Sequence, residues 1–151
     1  VRSVLRLALL FAALAPAAHA GEGVVEINQA RALAGGVSAS DTPGFPVTLT
    51  GPGSYVLTSD LATPSGLYTA IQLSGDEITL DLNGFSLIAF GTCTGSGSTL
   101  SCNNTGPGQG ISGASSNFVT VRNGMVKGFG SHGVSLGNYG RIENVIAMHN
   151  N

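Results

Sequence analysis

The chain has 151 residues, a formal net charge of −2, only 9% charged residues, 23 glycines and no tryptophan. So acidic and charge-poor a chain lacks the clustered basic surface that phosphate backbones demand, which excludes nucleic acid as a partner. Its length is that of one ordinary domain, and its Gly, Ser, Thr, Asn and Val content describes a strand- and turn-rich exported protein.

Residues 1–20 read as a secretory signal peptide. Arg2 and Arg6 supply the positive start, Leu7 to Leu14 form an apolar run, and Ala18, His19 and Ala20 give the small-x-small pattern that places cleavage before Gly21. A membrane-crossing helix needs roughly 20 apolar residues, so this run is no transmembrane anchor. The expected location is secreted or periplasmic, with residues 21–151 as the mature part.

From Glu26 to Gly36 a short capping helix is expected. Asn28 suits an N-cap, Gln29 to Ala34 favour helix, and Gly35 with Gly36 ends the run. Ile27, Ala30, Leu33 and Ala34 are expected on its covered side. Pro43, Gly44 and Pro46, then Gly51, Pro52 and Gly53, punctuate the approach to short strands at Val47–Leu49 and Tyr55–Leu57. The first regular coil is expected from Gly53 to about Pro64.

After residue 70 the chain repeats itself. AIQLSGDEITLDLNGFSLIAFG (70–91), GISGASSNFVTVRNGMVKGFG (110–130) and GVSLGNYGRIENVIAMHNN (133–151) share one order of small residue, turn and alternating apolar strand. Ile78, Leu80 and Leu82 alternate with Thr79 and Asp81, and Val119 and Val121 alternate with Thr120 and Arg122. Short strands recurring in one direction without helices between them fit a triangular parallel β-solenoid. A sandwich is the rival, because Asn83-Gly84 and Asn123-Gly124 suit hairpin turns.

The stretch at 91–109 interrupts the repeats and reads as an inserted loop. It holds Cys93 and Cys102, which in an exported chain most simply form a disulfide, worth roughly 2.5 to 3 kcal/mol by loop-closure entropy. No zinc-type spacing accompanies the cysteines or His132 and His149, so no metal site is expected.

Taken together, EINQARALAGGV, DTPGFPVTLTGPGSYVLTSDL, ITLDLNGF and VTVRNGMVKGFG resemble exported proteobacterial proteins with right-handed β-helix repeats, of the pectate-lyase-like superfamily. The resemblance covers most of the mature chain and implies an all-β, right-handed, single-stranded parallel β-helix. The sequence matches the N-terminal portion of such a protein, C-terminally truncated, with an open end available for end-to-end self-association. The architecture hosts many activities, so it implies little about function.

Aligning Leu80, Val121 and Ile142 as inward residues puts Asp81, Arg122 and Glu143 in one outward column, about 4.8 Å apart between neighbours. Aligning Asn83 with Asn123 instead shifts the first repeat by one. The column suits either a structural charge ladder, which is preferred, or a catalytic set. Asp76 and Glu77 read as solvated turn residues, and Tyr55, Tyr68 and Tyr139 as packing residues that also suit sugar stacking. The function expected is a non-catalytic, carbohydrate-contacting or cell-surface scaffold module with a polysaccharide or cell-envelope glycan as partner and no evident cofactor. The alternative is a polysaccharide lyase or glycoside hydrolase with its catalytic coils beyond residue 151. Only that alternative calls for Ca²⁺.

Overall fold

A computed structural model describes residues 23–90, 92–94, 96, 101–103 and 105–151. The expected signal peptide at residues 1–20 and the Cys93 and Cys102 side chains lie outside what it describes. Among the described residues, strands dominate and all but one of the strand pairs are parallel.

The parallel strands form three ladders. The first contains β1 (Val25–Ile27), β3 (Gly53–Leu57), β6 (Ile78–Asp81) and the opening halves of β11 (Thr120–Lys127) and β13 (Arg141–Met148). The second contains β4 (Leu61–Thr63), β7 (Ser86–Ala89) and the closing halves of β11 and β13. The third contains β2 (Val47–Leu49), β5 (Ile71–Leu73), β10 (Ile111–Gly113) and β12 (Val134–Leu136). From Val47 onward the chain visits the ladders in the order third, first, second, and does so four times. Parallel neighbours cannot be joined by a tight hairpin, so each return requires a crossover through the other two ladders.

Alternation then builds the core. Tyr55, Leu80 and Val121 stand in register on the first ladder, Leu61, Leu87 and Val126 on the second, and Val47, Ile71 and Ile111 on the third. All nine are buried. The residues between them face outward, because successive side chains in a strand point to opposite sides. Each fully buried Leu, Ile or Val contributes roughly 1.5–3 kcal/mol relative to exposure.

The bend from the first ladder to the second falls at Asn83, Asn123 and Asn144, with φ of 51°, 59° and 51°. Asparagine enters the left-handed region at lower cost than most side chains. The Asn83 amide donates to Leu57 O at 3.2 Å, Asn123 to both Asp81 carboxylate oxygens at 3.2 and 3.3 Å, and Asn144 to Asn123 Oδ1 at 3.4 Å. Each bend is thereby tied to the strand before it. The register follows Leu80, Val121 and Ile142. Asn83 is offset from Asn123 because Leu82 and Phe85 are additional residues at that corner. There Phe85 N donates to Leu82 O at 2.8 Å, and both Asn83 and Gly84 have positive φ. This is the turn Asn-Gly favours in hairpins, yet the strands it joins pair in different ladders and no sandwich is built.

The helix α1 (Gln29–Ala34) has the expected caps: Asn28 Oδ1 accepts from Arg31 N at 2.9 Å, and Gly35 ends it at φ 76°. Its covered side differs from expectation. Ala32 is its buried residue, whereas Ala30, Leu33 and Ala34 are exposed. Gln29 sets this orientation: Ala62 N donates to Gln29 Oε1 at 2.8 Å and Gln29 Nε2 donates to Ala62 O at 3.1 Å. The side-chain amide thus takes the place of a neighbouring strand at the edge of the second ladder. Ordered pairing also begins before the expected first coil, because β1 already lies alongside β3.

Between β7 and β10 the chain leaves the ladders. There β8 (Thr92–Thr94) and β9 (Ser101–Asn103) pair antiparallel, with Cys93 opposite Cys102.

Candidate functional site

The outward face of the first ladder carries the expected charge column. Asp81 pairs in register with Arg122, and Arg122 with Glu143. The Arg122 guanidinium donates to Asp81 Oδ2 at 2.9 Å, with the arginine side chain 44% and the aspartate side chain 22% exposed. Glu143 does not complete the column: its Oε1 is 3.0 Å from Nε of Arg141, two residues earlier on its own strand. Residues i and i+2 share a face, so the nearer arginine takes the carboxylate.

Asp81 accepts from Asn83 N at 2.8 Å, from the Asn123 amide and from Arg122. Burial pushes its pKa upward, but these donors, led by the Asn83 N–H, outweigh it and hold the pKa below the ordinary aspartate value. The ionised form therefore contributes stability above the unfolded aspartate pKa, and that contribution is lost as pH falls through the lowered folded pKa. A general acid needs the opposite shift, toward working pH. Asp81 is built as a fixed anion that ties a corner.

A second feature lies one corner away, where the third ladder leads into the first. Glu77, Phe118 and Tyr139 occupy equivalent places there, with φ of 57°, 54° and 56°. Gly, Asn or Asp meets that backbone demand most cheaply, and other side chains cost of order 1 kcal/mol or more each. The chain nevertheless places two aromatics in it. Phe118 and Tyr139 are 58% and 77% exposed, with ring centroids 4.7 Å apart and planes 5° from parallel. Phe118 N donates to Asn138 O at 3.1 Å and Glu77 N to Asn117 O at 3.1 Å, fixing successive corners to one another. The next outward residues in register are Thr79, Thr120 and Arg141, followed by Asp81, Arg122 and Glu143. An apolar double ring therefore stands beside a strip of hydroxyls and charges.

Other expected participants are placed elsewhere. Tyr55 is buried, its hydroxyl donates to Gly51 O at 2.9 Å, and burial raises its pKa, so it is a core residue. Tyr68 is exposed. Asp76 is not merely solvated: its Oδ1 accepts from Asn117 N at 2.7 Å and clamps two corners together. The His132 ring nitrogen Nδ1 lies 2.9 Å from Ser131 Oγ. Among the described residues no group of three or more His, Cys, Asp or Glu is placed to hold a metal ion, and no helix is long and apolar enough to cross a membrane.

Phe118 is the residue that the sequence reading passed over. Its signal is legible when NFVTVRN (117–123) is laid over NYGRIEN (138–144): Asn, aromatic, strand, Asn. Comparison with known proteins finds no matching family model, no similar curated protein and no similar solved structure.

Proposed function

We propose that the chain is an exported, right-handed parallel β-helix of the pectate-lyase-like kind that contacts glycan without catalysing its cleavage. Support for the β-helix comes from the fourfold cyclic order of three parallel ladders around inward-facing Leu, Ile and Val. Crossovers between parallel strands are right-handed in about 98% of cases. The observation that carries the glycan reading is the exposed, coplanar Phe118–Tyr139 pair, held on a backbone conformation that aromatics otherwise avoid. Phe118 covers one face of Tyr139, and the other face is available to the C–H face of a sugar ring. Thr79, Thr120 and Arg141 lie alongside to meet its hydroxyls or carboxylate. The lyase or hydrolase alternative gains nothing from Asp81, whose carboxylate is already occupied by three donors.

Affinity electrophoresis through gels containing neutral or acidic polysaccharides tests this reading. Tyr139→Ala is expected to lose retardation in the gel that slows the parent, with at least a tenfold weaker apparent affinity and an unchanged circular dichroism spectrum. Arg122→Ala is expected to keep the retardation and to cost about 1 kcal/mol or less, as exposed ion pairs do. Retardation unaffected by Tyr139→Ala, or abolished by Arg122→Ala with the fold intact, contradicts the proposal.

Export and the disulfide belong to the same reading. Opposed residues in an antiparallel pair have Cα atoms about 4.5–5.5 Å apart, within the span of a disulfide, and Cys93 and Cys102 are such a pair. The N-terminal peptide of the exported protein is expected to begin at Gly21, and thiol labelling of the unfolded, unreduced protein is expected to leave Cys93 and Cys102 unlabelled. An N-terminal peptide that retains residues 1–20, or label on both cysteines, refutes the corresponding half.

A further inference from the structure

The ion pairs on the outward side of the first ladder leave two carboxylates out. Arg122 is matched by Asp81 and Arg141 by Glu143. Among the described residues neither Asp76 nor Glu77 has a cationic partner. Asp76 is held through Oδ1 by the backbone N–H and the side-chain amide of Asn117. Glu77 is tied down only by its backbone, which donates to Asn117 O and accepts from Gly53 N, and it is exposed.

Phe118 occupies the same corner as Glu77 one coil further on. The strands these corners lead into, β6 and β11, are each paired on both sides, so chain flanks the two corners in either direction. The 4.7 Å between the Phe118 and Tyr139 centroids matches the spacing of paired strands, about 4.8 Å, so the rings stack from coil to coil. One face of Phe118 is covered by Tyr139, and the other looks toward the coil of Glu77.

Building on the glycan reading of the Phe118–Tyr139 pair, we infer that the glycan carries protonated amines, as deacetylated amino sugars do, and that one ammonium group is held jointly by the Glu77 carboxylate and the Phe118 ring. An ammonium is attracted to an aromatic face within about 6 Å of its centroid and makes charge-assisted hydrogen bonds to a carboxylate. Neighbouring coils supply both. Thr79 and Thr120, the next outward residues in register, present hydroxyls to the sugar. A polyuronate meets the reverse situation: both guanidiniums already have carboxylates, and Asp76 and Glu77 repel it. A neutral glycan gains nothing from Glu77.

Isothermal titration calorimetry of the exported protein with three hexamers tests the inference: β-1,4-linked glucosamine with its amines protonated, its fully N-acetylated counterpart, and α-1,4-linked galacturonate. The glucosamine hexamer is expected to bind about tenfold more tightly than either of the others. Glu77→Gln is expected to remove most of that preference, and so is Glu77→Asn, which suits the left-handed backbone of this corner. Glu26→Gln removes a carboxylate elsewhere on the first ladder and is expected to leave the preference unchanged, which separates local from overall charge. Equal binding of all three hexamers, tighter binding of either of the other two, or a preference indifferent to both Glu77 variants overturns the amine. If Tyr139→Ala still abolishes that binding, the glycan reading survives. Binding of none of the three also overturns the amine, and retardation in the polysaccharide gels then decides the glycan reading separately.

Discussion

Leu80→Ala is expected to lower the unfolding free energy by about 3 to 4 kcal/mol, within the range found for buried leucines replaced by alanine. Leu80 is 0% exposed and lies in register between Tyr55 and Val121. Its strand is paired on both sides, to β3 and to β11. The backbone is therefore pinned on either side of the missing side chain and cannot close over the cavity. Total stabilities of 5–15 kcal/mol make this a large fraction of what holds the chain folded. Thr79→Ala, one residue earlier and facing outward, is expected to change stability by less than about 0.5 kcal/mol. Urea unfolding followed by circular dichroism reads both, and similar costs at the two positions would contradict the inward–outward assignment.

Gly124→Ala is expected to cost about 2 to 3 kcal/mol, although it adds a single methyl group. A Cβ at Gly124 runs into the Leu82 Cβ of the corner beneath and comes 2.6 Å from Phe85 O. Leu82 is there because the Asn83 corner holds two more residues than the Asn123 corner above it, and it is fully buried. Overpacking at such a place displaces either a buried leucine or a backbone carbonyl, and both are held. Because the two residues collide, their effects couple. Leu82→Gly removes the Cβ that the methyl meets, and the double variant Leu82→Gly/Gly124→Ala is expected to be about 1 kcal/mol more stable than the sum of the single losses predicts. Strict additivity would mean that Gly124 does not rest on Leu82.

Much of this arrangement is legible in the chain itself. Alternation around Leu80, Val121 and Ile142 identifies both the strands and their register, because a slip by one residue turns every apolar side chain outward. The Asn123 and Asn144 corners can be read from their spacing, and the Asn83 offset becomes intelligible once Leu82 and Phe85 are seen as extra corner residues. The helix caps are legible for the same local reason. Its buried side is not, since six residues give the 3.6 period too few turns to point in one direction, and a single pair of hydrogen bonds from Gln29 decides the matter. Nor is the choice Glu143 makes between two arginines legible: register brings Arg122 opposite, while geometry along the strand favours Arg141. Phe118 was hidden because an aromatic just before a strand looks like part of it. Only the left-handed backbone there turns the ring outward onto Tyr139.

The central claim is the register that stacks Thr79, Thr120 and Arg141 on successive parallel strands. Cysteine pairs measure it directly in a chain whose Cys93 and Cys102 are replaced by serine. Thr79→Cys/Thr120→Cys and Thr120→Cys/Arg141→Cys place the two sulfurs on directly paired residues, with Cα separations in the range a disulfide spans. Thr79→Cys/Arg122→Cys offsets them by two residues. After mild oxidation, peptide mapping under non-reducing conditions is expected to find an intramolecular cross-link in the first two variants and little in the third. A cross-link formed preferentially in the offset variant, or in none of the three, would contradict the register and the three-ladder fold built upon it.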